Sequence, residues 1–250
     1  MNKPPLSRLQ KHGWFARFKP RRFQFLLFIL ILAVTLTPLV GQRPFGRTMA
    51  AIISGLAFVQ TCVSIAPRRR ILAIGGIFAF IVAVYGSAVL TIDIYPFNST
   101  LCQLSSRVLS ISFYLLAGRL VFKDVISEGA VDVNKLCGAM CIYLLIGVVW
   151  GQFYQFANIM DPGCFAMNLS KFERHGEITM FEQANLLNYF SFVTLTTLGY
   201  GDIEPISRLT RVLAYSEALV GQIYLAILVA RLVGLHIAEA TANAVSSADD

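Results

Sequence analysis

The stretch LLNYFSFVTLTTLGYGD, residues 186–202, decides how this chain folds, because it joins an apolar run to a glycine-containing loop. Long apolar segments flank it, Leu136–Ala157 before it and about Val212–Ile237 after it. A helix needs roughly 20 mostly apolar residues to cross a bilayer, and both flanking segments come close to that or exceed it. Gly199 and Gly201 tolerate backbone dihedrals that other residues avoid. The sequence therefore predicts an irregular loop held between two membrane-crossing helices.

The end of this stretch resembles the selectivity filter of the tetrameric potassium channels. The resemblance covers about residues 136–237, and its specific part is the sequence TTLGYGD. In that family, four copies of the loop supply rings of backbone carbonyls that replace the water shell of K⁺. The candidate filter consists of seven consecutive residues: Thr196, Thr197, Leu198, Gly199, Tyr200, Gly201 and Asp202.

The resemblance also assigns roles within this segment. It gives K⁺ coordination to the backbone carbonyls of Thr197, Leu198, Gly199 and Tyr200, and an innermost ring to the Thr197 hydroxyl. The Tyr200 side chain is expected to brace the filter from behind. Asp202 is expected at the extracellular mouth, where its charge would raise the local cation concentration.

The apolar run Leu187–Leu195 is expected to be the pore helix, with its negative C-terminal end directed toward the cavity. Three positions depart from the family pattern or support the filter. Tyr189 and Phe190 stand where relatives often have a tryptophan pair, and Val193 stands where some bacterial relatives have a glutamate that pairs with the filter-end aspartate. We expect altered hydrogen bonding behind the filter.

Gly221 lies twenty residues beyond Gly201 in the last apolar segment. Many relatives carry a glycine near this place, where the pore-lining helix can bend. Glycine is also common where membrane helices pack closely. The sequence leaves a gating hinge and a close-packing contact as alternative interpretations of Gly221.

Composition and segment lengths predict an all-α, polytopic membrane protein with six transmembrane helices, and the resemblance implies a re-entrant pore helix and a selectivity-filter loop as well. The hydrophobic fraction is 56%, the charged fraction 14% and the mean hydropathy +0.65, and soluble domains are usually about 25% charged. The six predicted crossings are Phe23–Leu39, Met49–Ile65, Ile71–Ile92, Val108–Val121, Leu136–Ala157 and Val212–Ile237.

The distribution of charged and apolar residues predicts how the chain is oriented in the membrane and divides it into four regions. Lysines and arginines concentrate in the N-terminal tail, in the loop after the second helix and in the loop after the fourth, so both termini are predicted to be cytoplasmic. We expect a multi-pass protein of the plasma membrane, or of the inner membrane of a bacterium. The regions are a basic tail (1–22), a four-helix membrane domain of unknown role (23–122), a pore domain (136–237) and a short polar tail (238–250).

The fourth predicted helix lacks the ladder of a voltage sensor. Such a sensor needs several basic residues at every third position, whereas this helix offers only Arg107 and Arg119, both expected at the membrane edges. We predict weak or absent voltage dependence. Two alternative roles remain open for the first four helices: they hold the tetramer together, or they sense lipid or tension.

Cysteines and one glycosylation sequon fall on the predicted outer side. Cys102 and Cys164 share that side, so a disulfide between them is a hypothesis. Asn98-Ser99-Thr100 matches the acceptor pattern for N-glycosylation.

The sequence therefore predicts a potassium-selective channel subunit that assembles as a homotetramer in lipid and conducts K⁺ passively. It is predicted to need no cofactor, to bind no nucleic acid despite the net charge of +7, and to catalyse no reaction. Two alternatives stay open: a poorly selective cation channel, and a non-conducting regulatory or sensor subunit of a membrane complex.

Overall fold

The computed structural model describes residues 22–40, 100–126, 133–168 and 179–246, and these form five α-helices and one antiparallel ribbon. In chain order the elements are α1 (Arg22–Val40), α2 (Thr100–Ile126), α3 (Val133–Met160), β1 (Phe165–Met167), α4 (Met180–Leu195), β2 (Ile203–Pro205) and α5 (Arg208–Ser246). The basic tail before residue 22, the predicted second and third helices and the sequon at Asn98 lie outside the described residues.

Three helices of the described part are long and apolar enough to cross a membrane. They span Arg22–Leu39 within α1, all of α3, and Arg208–Arg231 within α5. These match the first, fifth and sixth predicted crossings. Helix α2 contains the predicted fourth crossing and extends it at both ends, but it is not among the three candidate spans. Six crossings therefore stay a prediction.

Helix α3 is the centre of the packing, since it contacts α1, α2, α4 and α5. Its apolar side chains share one core with Phe23 and Leu26 of α1 and Val121 of α2. Two polar contacts hold the start of α1 against α2 and α3. Arg22 forms an ion pair with Asp124 of α2 at 2.5 Å, and the Phe23 backbone N–H donates to the Asn134 side chain of α3 at 2.9 Å.

Helix α4 begins earlier than the predicted pore helix, which was wrong in starting at Leu187. A capping box explains the difference: the Glu182 N–H donates to the Thr179 hydroxyl at 3.3 Å, and the Thr179 N–H donates to the Glu182 carboxylate at 3.2 Å. These bonds satisfy backbone donors that a helix start otherwise leaves free. The spacing Thr-x-x-Glu signals this start in the sequence.

The described chain is mostly helical, but the all-α prediction missed the ribbon of β1 and β2. The two strands pair antiparallel, with Phe165 opposite Pro205 and Met167 opposite Ile203. Just beyond the ribbon, the Asn168 N–H donates to the Asp202 carbonyl at 3.0 Å. The ribbon therefore ties the segment that follows α3 to the outer end of the candidate filter.

The structure adds detail to two further predictions. Helix α5 continues to Ser246, so most of the polar tail predicted at 238–250 is helical, and its position in the cytoplasm stays a prediction. Arg107 is 6% exposed, and its Nη1 donates to the Gln152 side chain of α3 at 3.0 Å, while its place at the membrane edge stays a prediction. Arg119 is exposed. The hydrogen bond to Gln152 of α3 gives the buried guanidinium of Arg107 a polar partner between α2 and α3.

Candidate functional site

The candidate filter begins where α4 ends and the chain folds back on its last turn. The Thr196 N–H donates to the Phe192 carbonyl at 3.1 Å, the Thr197 N–H to the Thr194 carbonyl at 2.9 Å, and the Leu198 N–H to the Val193 carbonyl at 2.9 Å. These bonds use carbonyls that the end of a helix leaves without partners. The end of α4 therefore fixes the start of the filter.

The backbone of the filter alternates in handedness. Thr197, Gly199 and Gly201 have φ values of +59°, +57° and +66°, whereas Leu198 and Tyr200 between them do not have positive φ. Glycine adopts positive φ readily, but at a non-glycine residue it costs about 1–2 kcal/mol. Alternating handedness turns successive peptide planes over, so that neighbouring carbonyls point to one side of the chain instead of to opposite sides. This is the backbone that a line of carbonyl ligands requires.

The filter is uncovered within one chain. Residues 196–201 are all exposed, with Leu198 at 58% and Tyr200 at 62%. The side chain of Tyr200 is therefore uncovered within the chain, and its bracing role stays a prediction. A polar, irregular backbone is tolerated at membrane depth only where protein or water surrounds it.

The outer end of the filter is held by α4. The Tyr189 hydroxyl donates to the Asp202 carboxylate at 2.7 Å, and the Ile203 N–H donates to the other oxygen of that carboxylate at 3.0 Å. Tyr189 therefore makes a direct contact to the filter-end aspartate.

The other two predicted support positions are buried beneath the filter. Phe190 packs edge-on against Tyr154 and Phe165, with ring centroids 5.0 Å and 5.4 Å away. Val193 is 6% exposed, and its carbonyl accepts the Leu198 N–H. Both residues position the filter through packing and backbone contacts, without a polar side chain.

Gly221 of α5 lies against Leu195, the last residue of α4 before the candidate filter. A Cβ at this position would lie 2.7 Å from Leu195 Cδ1 and 2.8 Å from the Leu195 carbonyl oxygen. That carbonyl also accepts a hydrogen bond from the Tyr143 hydroxyl of α3 at 3.3 Å. The contact is the close packing that the sequence left as one alternative, and bending at Gly221 stays a prediction.

The sequence analysis missed Glu217, a carboxylate of α5 that is fully buried behind the pore helix. The Tyr154 hydroxyl of α3 donates to Glu217 Oε2 at 2.5 Å. The Ser191 hydroxyl of α4 lies within hydrogen-bonding distance of Glu217 Oε1. An ionisable residue inside a predicted membrane span is itself a functional signal, and that rule singles out Glu217 from the sequence.

The hypothesis of a disulfide between Cys102 and Cys164 is wrong, because the structure has no bond between these two sulfurs. Cys164 lies in the turn between α3 and β1 and is 2% exposed. Burial, with a smaller contribution from the charge of Asp161, raises the pKa of the Cys164 thiol to about 11. The thiol therefore stays protonated and unreactive under ordinary conditions.

Comparison with known proteins finds one family that the region of this site resembles. Residues 164–236 match the family model described as an ion channel. The matched region runs from the turn after α3 through α4, the candidate filter and most of α5, so this part of the chain is similar to ion channel domains. No curated protein and no solved structure matched the chain.

The family match agrees with the potassium-channel resemblance of TTLGYGD, and it points to a channel rather than to an enzyme. The apolar helices together with this domain make the chain a membrane protein. Within the described residues, no cluster of three or more His, Cys, Asp or Glu side chains could hold a metal ion.

Proposed function

We propose that this chain is a subunit of a homotetrameric, potassium-selective channel that conducts K⁺ passively across the plasma membrane. The observation that carries the proposal is the alternating backbone of the filter, with positive φ at Thr197, Gly199 and Gly201. It supports a row of carbonyls on one side of the chain, and rings of such carbonyls replace the hydration shell of K⁺. K⁺ is the permeant ion in this proposal and no cofactor takes part.

Two exposed surfaces support assembly around a central axis. The filter has no cover within its own subunit. Helix α5 also leaves large apolar side chains uncovered along its length, among them Leu219, Ile223 and Ile227 at 57–63% exposure. Other copies of the chain would cover the filter on its flanks, and lipid or neighbouring subunits would cover α5. Four copies follow from the resemblance of the filter, which is four-fold in that family.

The proposed orientation places the mouth at Asp202 outside the cell and both termini in the cytoplasm. One basic side chain agrees with this orientation. Arg231 lies toward the other end of α5, where its Nη2 donates to the Val125 carbonyl at the end of α2 at 2.8 Å. Basic residues near that end of the bundle match the excess of positive charge expected on the cytoplasmic side.

The test is the reversal potential of the purified protein in liposomes under opposed K⁺ and Na⁺ gradients. The proposal expects a value near the potassium equilibrium potential. A reversal near zero with robust current would instead support the poorly selective cation channel. No current under any voltage, lipid or tension would favour the non-conducting subunit.

A matched pair of variants separates the filter from general backbone strain. Gly199→Ala forces a side chain into positive φ inside the filter, at a cost of about 1–2 kcal/mol per subunit, and is expected to abolish selective flux. Gly163→Ala introduces the same kind of strain at φ +96° in the turn after α3, where a Cβ meets nothing within 4 Å. It is expected to keep the K⁺ preference. Equal loss in both variants would contradict the assignment.

A further inference from the structure

Three helices meet at one buried polar cluster behind the filter. It contains Glu217 of α5, Tyr154 of α3 and Ser191 of α4, each of them buried. The Ser191 hydroxyl also reaches a second oxygen, the Gly147 carbonyl of α3, at 2.7 Å. The cluster is therefore a chain of three hydrogen-bonding contacts: Gly147 to Ser191, Ser191 to Glu217, and Glu217 to Tyr154.

Three contacts require three hydrogens, because each hydrogen bond uses one. A serine hydroxyl and a tyrosine hydroxyl supply one each, and a backbone carbonyl supplies none. An ionised glutamate also supplies none, so one contact in the chain would then face two acceptors with no hydrogen between them. A protonated Glu217 supplies the third hydrogen. It donates to Ser191, Ser191 donates to Gly147, and Tyr154 donates to Glu217.

The surroundings of Glu217 agree with the neutral form. The described residues place no Lys, Arg or His side chain within ion-pair distance of its carboxyl group. The titratable groups that face it are Tyr154 and, further away, Tyr143, both on α3. On α4 the facing group is the Ser191 hydroxyl, and the nearest titratable group of α4 in the sequence, Tyr189, bonds to Asp202 instead. An isolated buried carboxylate is strongly disfavoured, and neutralisation is its usual outcome.

We propose that Glu217 is a protonated carboxylic acid whose proton joins the pore helix to α3 and α5, which makes Glu217 a positioning residue for the filter and the filter sensitive to alkaline pH. Ser191 lies five residues before Thr196, on the helix whose last turn fixes the filter. Removal of the proton leaves a buried charge and breaks one link between α4 and its neighbours. The structure is thus held at neutral pH and loosened as the pH rises. The effect on ion flux rests on the proposed function, but the proton itself does not.

The proton is measured directly by infrared spectroscopy in proteoliposomes. Wild-type protein is expected to show the C=O stretch of a protonated carboxylic acid, absent from Glu217→Gln. In the same vesicles, K⁺ flux is expected to fall several-fold between about pH 7 and about pH 10, since each pH unit beyond the midpoint removes about tenfold of the protonated form. The fall should reverse when the pH returns.

Three variants give the proposal its contrasts. Glu217→Gln keeps an N–H donor and an acceptor at every pH, so it is expected to conduct with a flat pH profile. Ser191→Ala removes the hydroxyl that needs the third hydrogen, so its infrared band is expected to vanish at least about one pH unit lower than in wild type. Glu204→Gln changes an exposed carboxylate of β2 and is expected to keep the wild-type pH profile.

The outcomes separate this inference from the proposed function. A Glu217 that is ionised at neutral pH, or a Ser191→Ala variant that titrates like wild type, overturns the proton count. A Glu217→Gln variant with the wild-type pH profile overturns the control of flux. A titrating acid band in a protein that passes no K⁺ at any pH supports the protonated positioning residue and refutes the channel.

Discussion

Substitution of Gly221 by alanine tests how closely α5 must approach the pore helix. The added Cβ would lie 2.7 Å from Leu195 Cδ1 and 2.8 Å from the Leu195 carbonyl oxygen, whereas carbon atoms in contact normally lie about 3.5–4.0 Å apart. The methyl group of Leu195 can rotate away. Its carbonyl oxygen cannot, because it belongs to the backbone and accepts the Tyr143 hydroxyl. The two helices must therefore separate.

The free-energy cost of Gly221→Ala can be estimated by comparison with the same substitution at a second glycine of α5. Gly234 is also within α5, and a Cβ there would meet nothing within 4 Å. Both substitutions gain the helix propensity of alanine over glycine, about 0.8–1 kcal/mol, so this gain cancels in a comparison of the two variants. The remaining difference is the cost of overpacking, about 1–3 kcal/mol. At about 2–4 °C per kcal/mol for a chain of this size, Gly221→Ala should melt several degrees below Gly234→Ala.

The assay is thermal unfolding of the purified protein in one detergent, followed by K⁺ flux in liposomes. Gly221→Ala should lower both the melting temperature and the flux, because Leu195 directly precedes the filter. If Gly221 serves only as a hinge, flux or gating should change while the melting temperatures of the two variants stay equal. Equal melting temperatures together with equal flux would refute the close-packing argument.

Three further predictions concern the outer filter, the buried thiol and voltage. Tyr189→Phe removes the hydrogen bond to Asp202, worth about 1.5–3 kcal/mol for a charged acceptor, and should lower the K⁺ to Na⁺ permeability ratio measured by reversal potential. Because its pKa is raised to about 11, Cys164 should be about one part in a thousand thiolate at pH 8, and maleimide labelling should accelerate as the pH rises toward 11. Neutralising Arg107 and Arg119 together should leave the slope of the conductance–voltage curve unchanged.

Each of these has its own control and contrary result. Tyr215→Phe alters an exposed tyrosine of α5 and should keep the permeability ratio, so equal ratios in both tyrosine variants would speak against the role of Tyr189. Cys102 is partly exposed, and a variant that retains only this cysteine should label faster at pH 8 than one that retains only Cys164. A steep conductance–voltage curve that flattens in the double arginine variant would reveal a voltage sensor in α2.

The sequence predicted the elements whose signal is local. The apolar runs of α1, α3 and α5 follow from length and hydropathy, and positive φ at Gly199 and Gly201 agrees with the conformational freedom of glycine. The start of α4 has a local signal too, because Thr179 and Glu182 have the spacing of a capping box. The prediction relied on the apolar pattern alone and placed the start of the helix seven residues too late.

Features that depend on contacts distant in sequence were not predicted. The pairing of β1 with β2 joins segments on opposite sides of α4, and three-residue strands carry too little pattern to be found in advance. The contact between Arg107 and Gln152 was not predicted, because the two residues are 45 positions apart in the sequence. Glu217 is the single acidic residue of its apolar segment, and only the approach of Tyr154 and Ser191 shows what surrounds it.

The two ends of the filter have a mechanical consequence. The inner end is bonded to α3 through Tyr143 and Leu195, and the outer end is bonded through Asn168 and Asp202 to the strand that follows α3. An α-helix resists changes in length, since extension breaks its ladder of hydrogen bonds. Helix α3 is therefore expected to set the distance between the two ends of the candidate filter, and a tilt of α5 beyond Gly221 would leave that distance unchanged.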